Sequence, residues 1–299
     1  MPDTGRRKNI GQRWNETAPR AIITIAALSG VWVLAFILFF LIKEGMPILA
    51  KASIFEIAGG SLWYPVSDPP LFGMLPLIAG SLSVTLLSSV IALPFGVALA
   101  LFLSDICPER ASGFCKVTLE ILSFLPSVVL GFIGMAVIAP YMQLKLGILS
   151  GLNLLNASFL LGIMILPTIA TLSEESLRAV PQSLRDASYA LGATRRETMF
   201  RVVLPSAARG IAQAGILGVM RSIGETMVVL MASGGAALIP AFVTDPVRPL
   251  TSAIAAEMGE TPVGSAHYHS LFFMGCLLLA FTLALNILVI KIESRGEAK

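Results

Sequence analysis

Asp186–Pro205, DASYALGATRRETMFRVVLP, is a polar island between two segments apolar enough to cross a membrane, and its reading decides the fold. Pro181 suits the first turn of a helix, where the missing N–H leaves no bond unmade. After it, Leu184, Ala187, Ser188 and Leu191 recur at three- and four-residue spacing, the pattern of one helical stripe. Gly192 ends that helix, because glycine enters the left-handed conformation of a C-cap without a Cβ clash. Thr194 and Glu197 stand at the T-x-x-E spacing of a capping box and predict a second helix carrying Met199, Val202 and Val203. Pro205 is placed to open the next membrane helix. Two short charged helices joined by a glycine cannot span a bilayer; they are built to lie on a partner at its surface.

Composition sets the class independently. The chain is 56% hydrophobic and 13% charged, with a mean hydropathy of +0.83, whereas soluble domains carry about 25% charged residues. A span needs about 20 apolar residues to cross roughly 30 Å of hydrocarbon. Six stretches qualify: Ala21–Ile42, Leu75–Ser104, Ile121–Leu144, Leu155–Leu172, Ser206–Ser233 and Ser270–Ile290. Only the fifth carries full charges in its middle. The predicted fold class is therefore an all-α integral membrane protein with six transmembrane helices.

Lys and Arg set the orientation. With the N-terminus inside, sixteen of them fall in the cytoplasmic segments, against Lys43, Lys51, Lys145 and Arg248 outside. Both termini and the Asp186–Pro205 loop are thus predicted to be cytoplasmic. The organisation that follows is a basic cytoplasmic tail (1–20), a first span (21–42), a periplasmic loop (43–74) and a transmembrane core (75–292) containing the cytoplasmic loop 173–205. The net charge of +3 comes with a basic tail that signals topology; the bilayer is the expected partner, not nucleic acid. The first span is too long for a cleaved leader and is expected to stay as an anchor.

Several chemistries are disfavoured. Cys107, Cys115 and Cys276 show no C-x-x-C or metal spacing, and read as small, reduced residues. His267 and His269 form an H-x-H without a third ligand nearby, so no metal site is expected. No G-x-x-x-x-G-K-[ST] sequence occurs, so the chain is expected not to hydrolyse ATP itself. Ser81, Ser83 and Ser88 have no intramembrane His partner, which argues against an intramembrane enzyme and leaves no catalytic residue. In the outer loop, Trp63 and Tyr64 suit an aromatic anchor at the membrane interface. Pro94, Pro126 and Pro167 each free a carbonyl and bend their helices. Gly80, Ser81, Gly96, Gly131, Gly134, Gly162, Gly215 and Gly218 allow close helix contact. Bent, closely packed helices suit a transporter.

Charge concentrates in Met220–Met231, MRSIGETMVVLM. Arg221 and Glu225, four residues apart, would share one face of a continuous fifth helix. A charge at mid-span costs roughly 2.5–3.5 kcal/mol on insertion scales, so both should face the bundle interior. Two readings stand side by side. One is an ion pair that neutralises itself or staples two helices. The other is an anion site, because Arg presents a planar fork of donors matched to tetrahedral oxyanions and stays charged at any working pH.

The island resembles the signature loop of type I ABC importer permeases, whose pattern is E-A-A, three residues, Gly, nine residues, an aliphatic residue, one more, then Leu-Pro. Here Asp186-Ala187-Ser188 is followed at that spacing by Gly192, Val202, Leu204 and Pro205, with Asp for Glu and Ser for the second Ala. Longer stretches are similar to the PstC-type subunits of bacterial phosphate importers: Phe72–Ser88, Ile121–Gly134, Met164–Pro181, Leu191–Ile211, Met220–Met231 and Thr251–Glu260. The R-x-x-G-E-T motif of phosphate permeases lies at Arg221, Gly224, Glu225 and Thr226, with Ser222 where Ala is more usual.

The resemblance implies the type I ABC importer permease fold in the bacterial inner membrane. It implies a phosphate pathway touching Arg221, Ser222, Glu225 and Thr226, and an ATPase-coupling loop formed by Asp186, Ala187, Ser188, Gly192, Thr194, Glu197, Leu204 and Pro205. The implied partners are a PstA-type permease subunit, a cytoplasmic ATPase dimer that uses ATP and Mg²⁺, and a periplasmic phosphate-binding protein docking on residues 43–74 and 234–266. No cofactor is bound by this chain in that scheme. A permease for molybdate or sulfate, or a phosphate-sensing scaffold, are the alternatives.

Overall fold

The computed structural model describes residues 10–297; Arg6, Arg7, Lys8 and Lys299, part of the charge count above, lie outside the described residues. Where no water is at hand, backbone N–H and C=O groups must bond within their own segment, and long apolar runs accordingly form helices. Six helical stretches are long and apolar enough to cross a membrane: Ile22–Ala50, Leu75–Ile106, Ser127–Leu146, Leu154–Arg178, Arg195–Ile223 and Ala266–Ile292. In chain order, α1 (Ile10–Gly45) leads through a 3-10 turn and α2 (Ile54–Gly59) to a two-stranded antiparallel hairpin, β1 (Trp63–Tyr64) and β2 (Leu71–Phe72). Then come α3 (Leu75–Leu101), α4 (Glu109–Phe124), α5 (Ser127–Ile133), α6 (Ala139–Leu146) and α7 (Leu154–Arg178). The island contributes α8 (Gln182–Ala190) and α9 (Arg195–Thr198); α10 (Leu204–Ile223), α11 (Met227–Ala232), α12 (Leu250–Glu257) and α13 (Ala266–Glu297) complete the chain.

α7 is the axis of the bundle, with two thirds of its most apolar window buried. It packs against both α3 and α10 through glycines. A Cβ on Gly96 would stand 2.8 Å from Ile169 Cγ2, and one on Gly218 would stand 2.8 Å from Ile169 Cδ1. The backbones of α3 and α10 therefore approach α7 closely because those two side chains are absent. α1 lies outside this core. Phe40 meets Phe272 edge-on at 5.5 Å, and Cys276 Sγ donates to the Leu41 carbonyl at 3.4 Å. Gly45, at the end of α1, abuts Phe273 near the start of α13, so the two helices run antiparallel.

Four expectations need correction. The third span is not continuous over Ile121–Leu144: it breaks at Leu125–Pro126, since Pro126 cannot donate to the preceding turn, and the charged α4 lies before the break. Pro94 and Pro167, by contrast, sit inside unbroken helices. The fifth span is likewise not continuous over Ser206–Ser233, because α10 ends at Ile223 and α11 starts at Met227. The first helix does not start with the span at residue 21, since α1 already begins at Ile10, inside the stretch assigned to the tail. Trp63 is no interfacial anchor; it is 4% exposed and packed in a cap at one end of the bundle with Ile48, Ile57 and Phe72.

π turns mark the prolines. Gly134–Ile138 widens just before Pro140, and Met199–Val203 just before Pro205. Each proline lacks the N–H that would bond four residues back, and the wider turn reorganises the freed carbonyls. Ser206 also donates its hydroxyl to the Val202 carbonyl at 2.6 Å.

Candidate functional site

The break in the fifth span lies beside the middle of α7. Thr168 is the fifteenth of the 25 residues of α7, and its Oγ1 accepts a hydrogen bond from Arg221 Nη1 at 3.0 Å. Arg221 occupies the last turn of α10, where a cation complements the partial negative charge of a helix C-terminus. It is exposed on the surface of this chain. Ser222 points the other way: it is 3% exposed, and its hydroxyl meets Ser88 Oγ on α3 at 2.8 Å.

Glu225 does not share a helical face with Arg221, because Gly224, Glu225 and Thr226 are outside both helices. Among the described residues the two form no ion pair. Glu225 Oε1 instead accepts the Met227 N–H at 3.2 Å, capping α11, while its carbonyl accepts the Thr251 hydroxyl at 2.7 Å. The intrahelical ion pair is thereby replaced by a separated acid and base. Thr226 is half-buried, with its hydroxyl 3.5 Å from the Gly224 carbonyl. Sequence reading missed Thr168, Ser88 and Thr251; a search for polar residues at the depth of Arg221 on the other spans would have raised the first two.

At the island end, the predicted local structure holds. Gly192 has φ +82° and caps α8, and no heavy atom lies within 4 Å of a Cβ built there. Thr194 and Glu197 make the reciprocal capping box, with Thr194 N–H to Glu197 Oε2 at 2.9 Å and Glu197 N–H to Thr194 Oγ1 at 3.3 Å. Ser188 is buried and joined to Thr198 by a 2.8 Å bond between hydroxyls, which ties α8 to α9. Asp186 accepts from Gln182 Nε2 at 3.0 Å on the exposed side. Leu184, Ala187 and Leu191 of the predicted stripe are exposed, as is Tyr189, so apart from the buried Ser188 the apolar side chains of α8 are uncovered in this chain. α9 is continuous with α10 through the π turn, so Leu204 and Pro205 lie within one long helix rather than at the start of a separate one.

Charge fastens the island to the bundle. Arg185 Nη1 pairs with Asp105 Oδ1 at 2.5 Å and its Nη2 donates to the Leu177 carbonyl at 3.0 Å; Arg195 donates to the Asp105 carbonyl. Glu174, 2% exposed, pairs with Lys116 on α4 at 2.9 Å and with Arg178 at 2.6 Å. Nearby, burial and then the neighbouring Cys115 push the Cys107 thiol up, away from reactivity.

At the opposite end, Glu257 is a hub. Its carboxylate receives Trp63 Nε1 at 3.2 Å and pairs with Arg248 at 2.5 Å and His267 Nε2 at 2.7 Å. These four residues are among those lining a cleft of ≈ 650 Å³. His269 turns elsewhere, its Nδ1 lying 2.7 Å from the Glu44 carbonyl. No group of three metal-ligating side chains occurs among the described residues.

Residues 92–295 match the family described as "Binding-protein-dependent transport system inner membrane component". The chain belongs to this family. The permease is 35% identical over 285 residues to "Probable ABC transporter permease protein YqgH" of Bacillus subtilis (strain 168), covering 95% of this chain and 92% of that one. It is 29% identical to "Phosphate transport system permease protein PstC" of Haemophilus influenzae, over 95% of both chains. A PstC from Mesorhizobium japonicum is 28% identical over 94% of this chain and 90% of its own. Among solved structures, a bacterial alginate ABC transporter in complex with its periplasmic protein superposes at TM-score 0.63 and 12% identity, covering 94% of this chain and 96% of that one. The inward-facing MetNI methionine transporter superposes at TM-score 0.56 and 20% identity, covering 76% and 99%. The permease thus has the type I ABC importer permease fold and is a multi-pass inner-membrane component, as the sequence resemblance implied.

Proposed function

We propose that the permease carries inorganic phosphate from periplasm to cytoplasm, as one of two membrane subunits of an ATP-driven importer. The observation that carries the reading is Arg221: a forked, permanently charged donor at mid-depth, exposed on this chain, with no acidic partner among the described residues. A charge is expensive at that depth unless it meets a polar pathway or ligand. Its place in R-x-x-G-E-T and the likeness to PstC proteins support phosphate as that ligand. Helices interrupted near the midplane recur at the binding sites of transporters, because irregular backbone is tolerated where it lines a cavity.

In this scheme both termini and residues 173–205 are cytoplasmic, and residues 43–74 and 234–266 face the periplasm, where a phosphate-binding protein docks. A PstA-type subunit closes the other side of the pathway. Arg221 contacts the anion, Glu225 and Thr226 line the break, and Ser222 holds α10 to α3. Each ATPase of a cytoplasmic pair grips one island, using Asp186, Ala187, Gly192 and the apolar stripe of α8, while Ser188, Thr194 and Glu197 keep that island rigid. ATP, with Mg²⁺, is bound and hydrolysed on the partner. Closure of the ATPase pair moves α8 and α9, and the continuous helix through Leu204 and Pro205 carries the motion to Arg221. The bundle then alternates between two accesses.

The test is uptake of labelled phosphate by the complete complex in cells without another phosphate importer. Saturable uptake suppressed by unlabelled phosphate, and not by sulfate or molybdate, supports the reading. Saturable uptake of sulfate or molybdate that phosphate does not suppress contradicts it. A variant that abolishes uptake but preserves phosphate-responsive gene control would separate transport from the sensing scaffold.

A further inference from the structure

We propose that Thr168 is a positioning residue: it holds the Arg221 guanidinium in the orientation that meets the anion. The inference rests on the reading of Arg221 as the phosphate contact.

Helical Ser and Thr usually turn the hydroxyl back onto a carbonyl of the preceding turn. Ser89 does so to Thr85 at 2.7 Å, Thr118 to Phe114 at 3.0 Å and Ser176 to Leu172 at 2.8 Å. Thr168 is engaged differently. Its Oγ1 accepts from Arg221 Nη1 across the α7–α10 interface, 53 residues away in the chain. A guanidinium only donates, so the oxygen of Thr168 is the group it needs.

The surroundings fix everything about Arg221 except its side chain. One turn earlier on α10, Gly218 leaves room for Ile169, the residue next to Thr168, and a Cβ there would come within 2.8 Å of Ile169. Sliding α10 along α7 would bring larger side chains against Ile169. Rotation of α10 is held by the 2.8 Å bond between Ser222 and Ser88 on α3. The backbone of residue 221 is thereby set against two helices. The arginine side chain retains its many rotamers, and one bond to Thr168 selects among them. That bond occupies Nη1 and leaves the rest of the fork free for a tetrahedral oxyanion.

The experiment uses the complete complex in proteoliposomes, with both permease subunits, the ATPase and phosphate-loaded binding protein. Thr168→Val, Thr168→Ala, Thr168→Ser and Arg221→Gln are compared, each rate referred to assembled complex. Val keeps the shape and loses the hydroxyl, whereas Ser keeps the hydroxyl and loses the methyl. With a mis-set catalytic-type contact costing up to about a hundredfold, Val and Ala should both lower the maximal uptake rate by about tenfold or more, and Ser should restore it. The concentration of loaded binding protein giving half the maximal rate should not move, because docking occurs at the outer loops. A merely space-filling Thr168 gives the reverse order, with Val normal and both Ser and Ala impaired, and that order would overturn the proposal. Normal uptake by Arg221→Gln overturns the anion reading itself. Loss of uptake in Arg221→Gln together with a normal Thr168→Val overturns the positioning role alone.

Discussion

Replacing Gly192 isolates a purely conformational requirement. The residue turns α8 into α9 at φ +82°, and a Cβ there would touch nothing within 4 Å. The penalty of any side chain is therefore in the backbone: roughly 1–2 kcal/mol for an L-residue held left-handed, more for a β-branched one and less for Asn. The turn cannot relax for free. Gly192 N–H donates to the Tyr189 carbonyl at 2.9 Å and Ala193 N–H to that of Ser188 at 3.2 Å, beside the Ser188–Thr198 bond. Returning residue 192 to negative φ breaks these and re-aims α8 relative to α9. The spans are packed elsewhere, so insertion should be normal. If the strain is released by re-aiming the island, 1–2 kcal/mol corresponds to a factor of about 5–30 in the population of the coupled arrangement. The assay is phosphate imported per ATP hydrolysed, with permease and ATPase quantified in the membrane. Gly192→Val should lower that ratio by at least the lower figure, Gly192→Ala less, and Gly192→Asn least. A Gly192→Val complex with normal ratio and rate would refute the coupling role.

Gly218→Val should overpack Ile169 and lower the stability of the purified permease by about 1–3 kcal/mol, measured by thermal unfolding in detergent; adding Ile169→Ala should recover part of the loss, since the 2.8 Å clearance is to that side chain. Arg185→Ala should leave Asp105 without its 2.5 Å ion pair and loosen the island, read as faster proteolysis between residues 181 and 195. Glu257→Ala should free Trp63 and shift its fluorescence to longer wavelength, because the indole N–H loses its carboxylate and the cap around it loses the Arg248 and His267 links.

What could be read in the sequence is what local chemistry dictates. Apolar length placed all six spans, and glycine with a capping box placed α8 and α9, because each depends on residues within a few positions. The misreadings are tertiary. Hydropathy averaged straight through Leu125–Pro126 and through Gly224–Thr226, since a short break among apolar residues barely changes a window's mean. The spacing of Arg221 and Glu225 predicted a shared face only on an unbroken helix. α12 lies within residues 234–266, where Pro246, Pro249 and Pro262 obscure a helix to sequence reading. Trp63 looked interfacial because its partner Glu257 is 194 residues away, and nothing local announces that bond. Thr168 is legible only once α7 and α10 are side by side.

The most direct measurement is labelled phosphate uptake by Arg221→Gln, with the variant quantified in the membrane fraction. Removing a mid-depth charge makes insertion easier, so the protein should be present in full. Uptake should be abolished, and Arg221→Lys should restore little, because a point-like ammonium lacks the fork. Normal uptake by Arg221→Gln would contradict the account, leaving Arg221 as a link between α10 and α7 and nothing more.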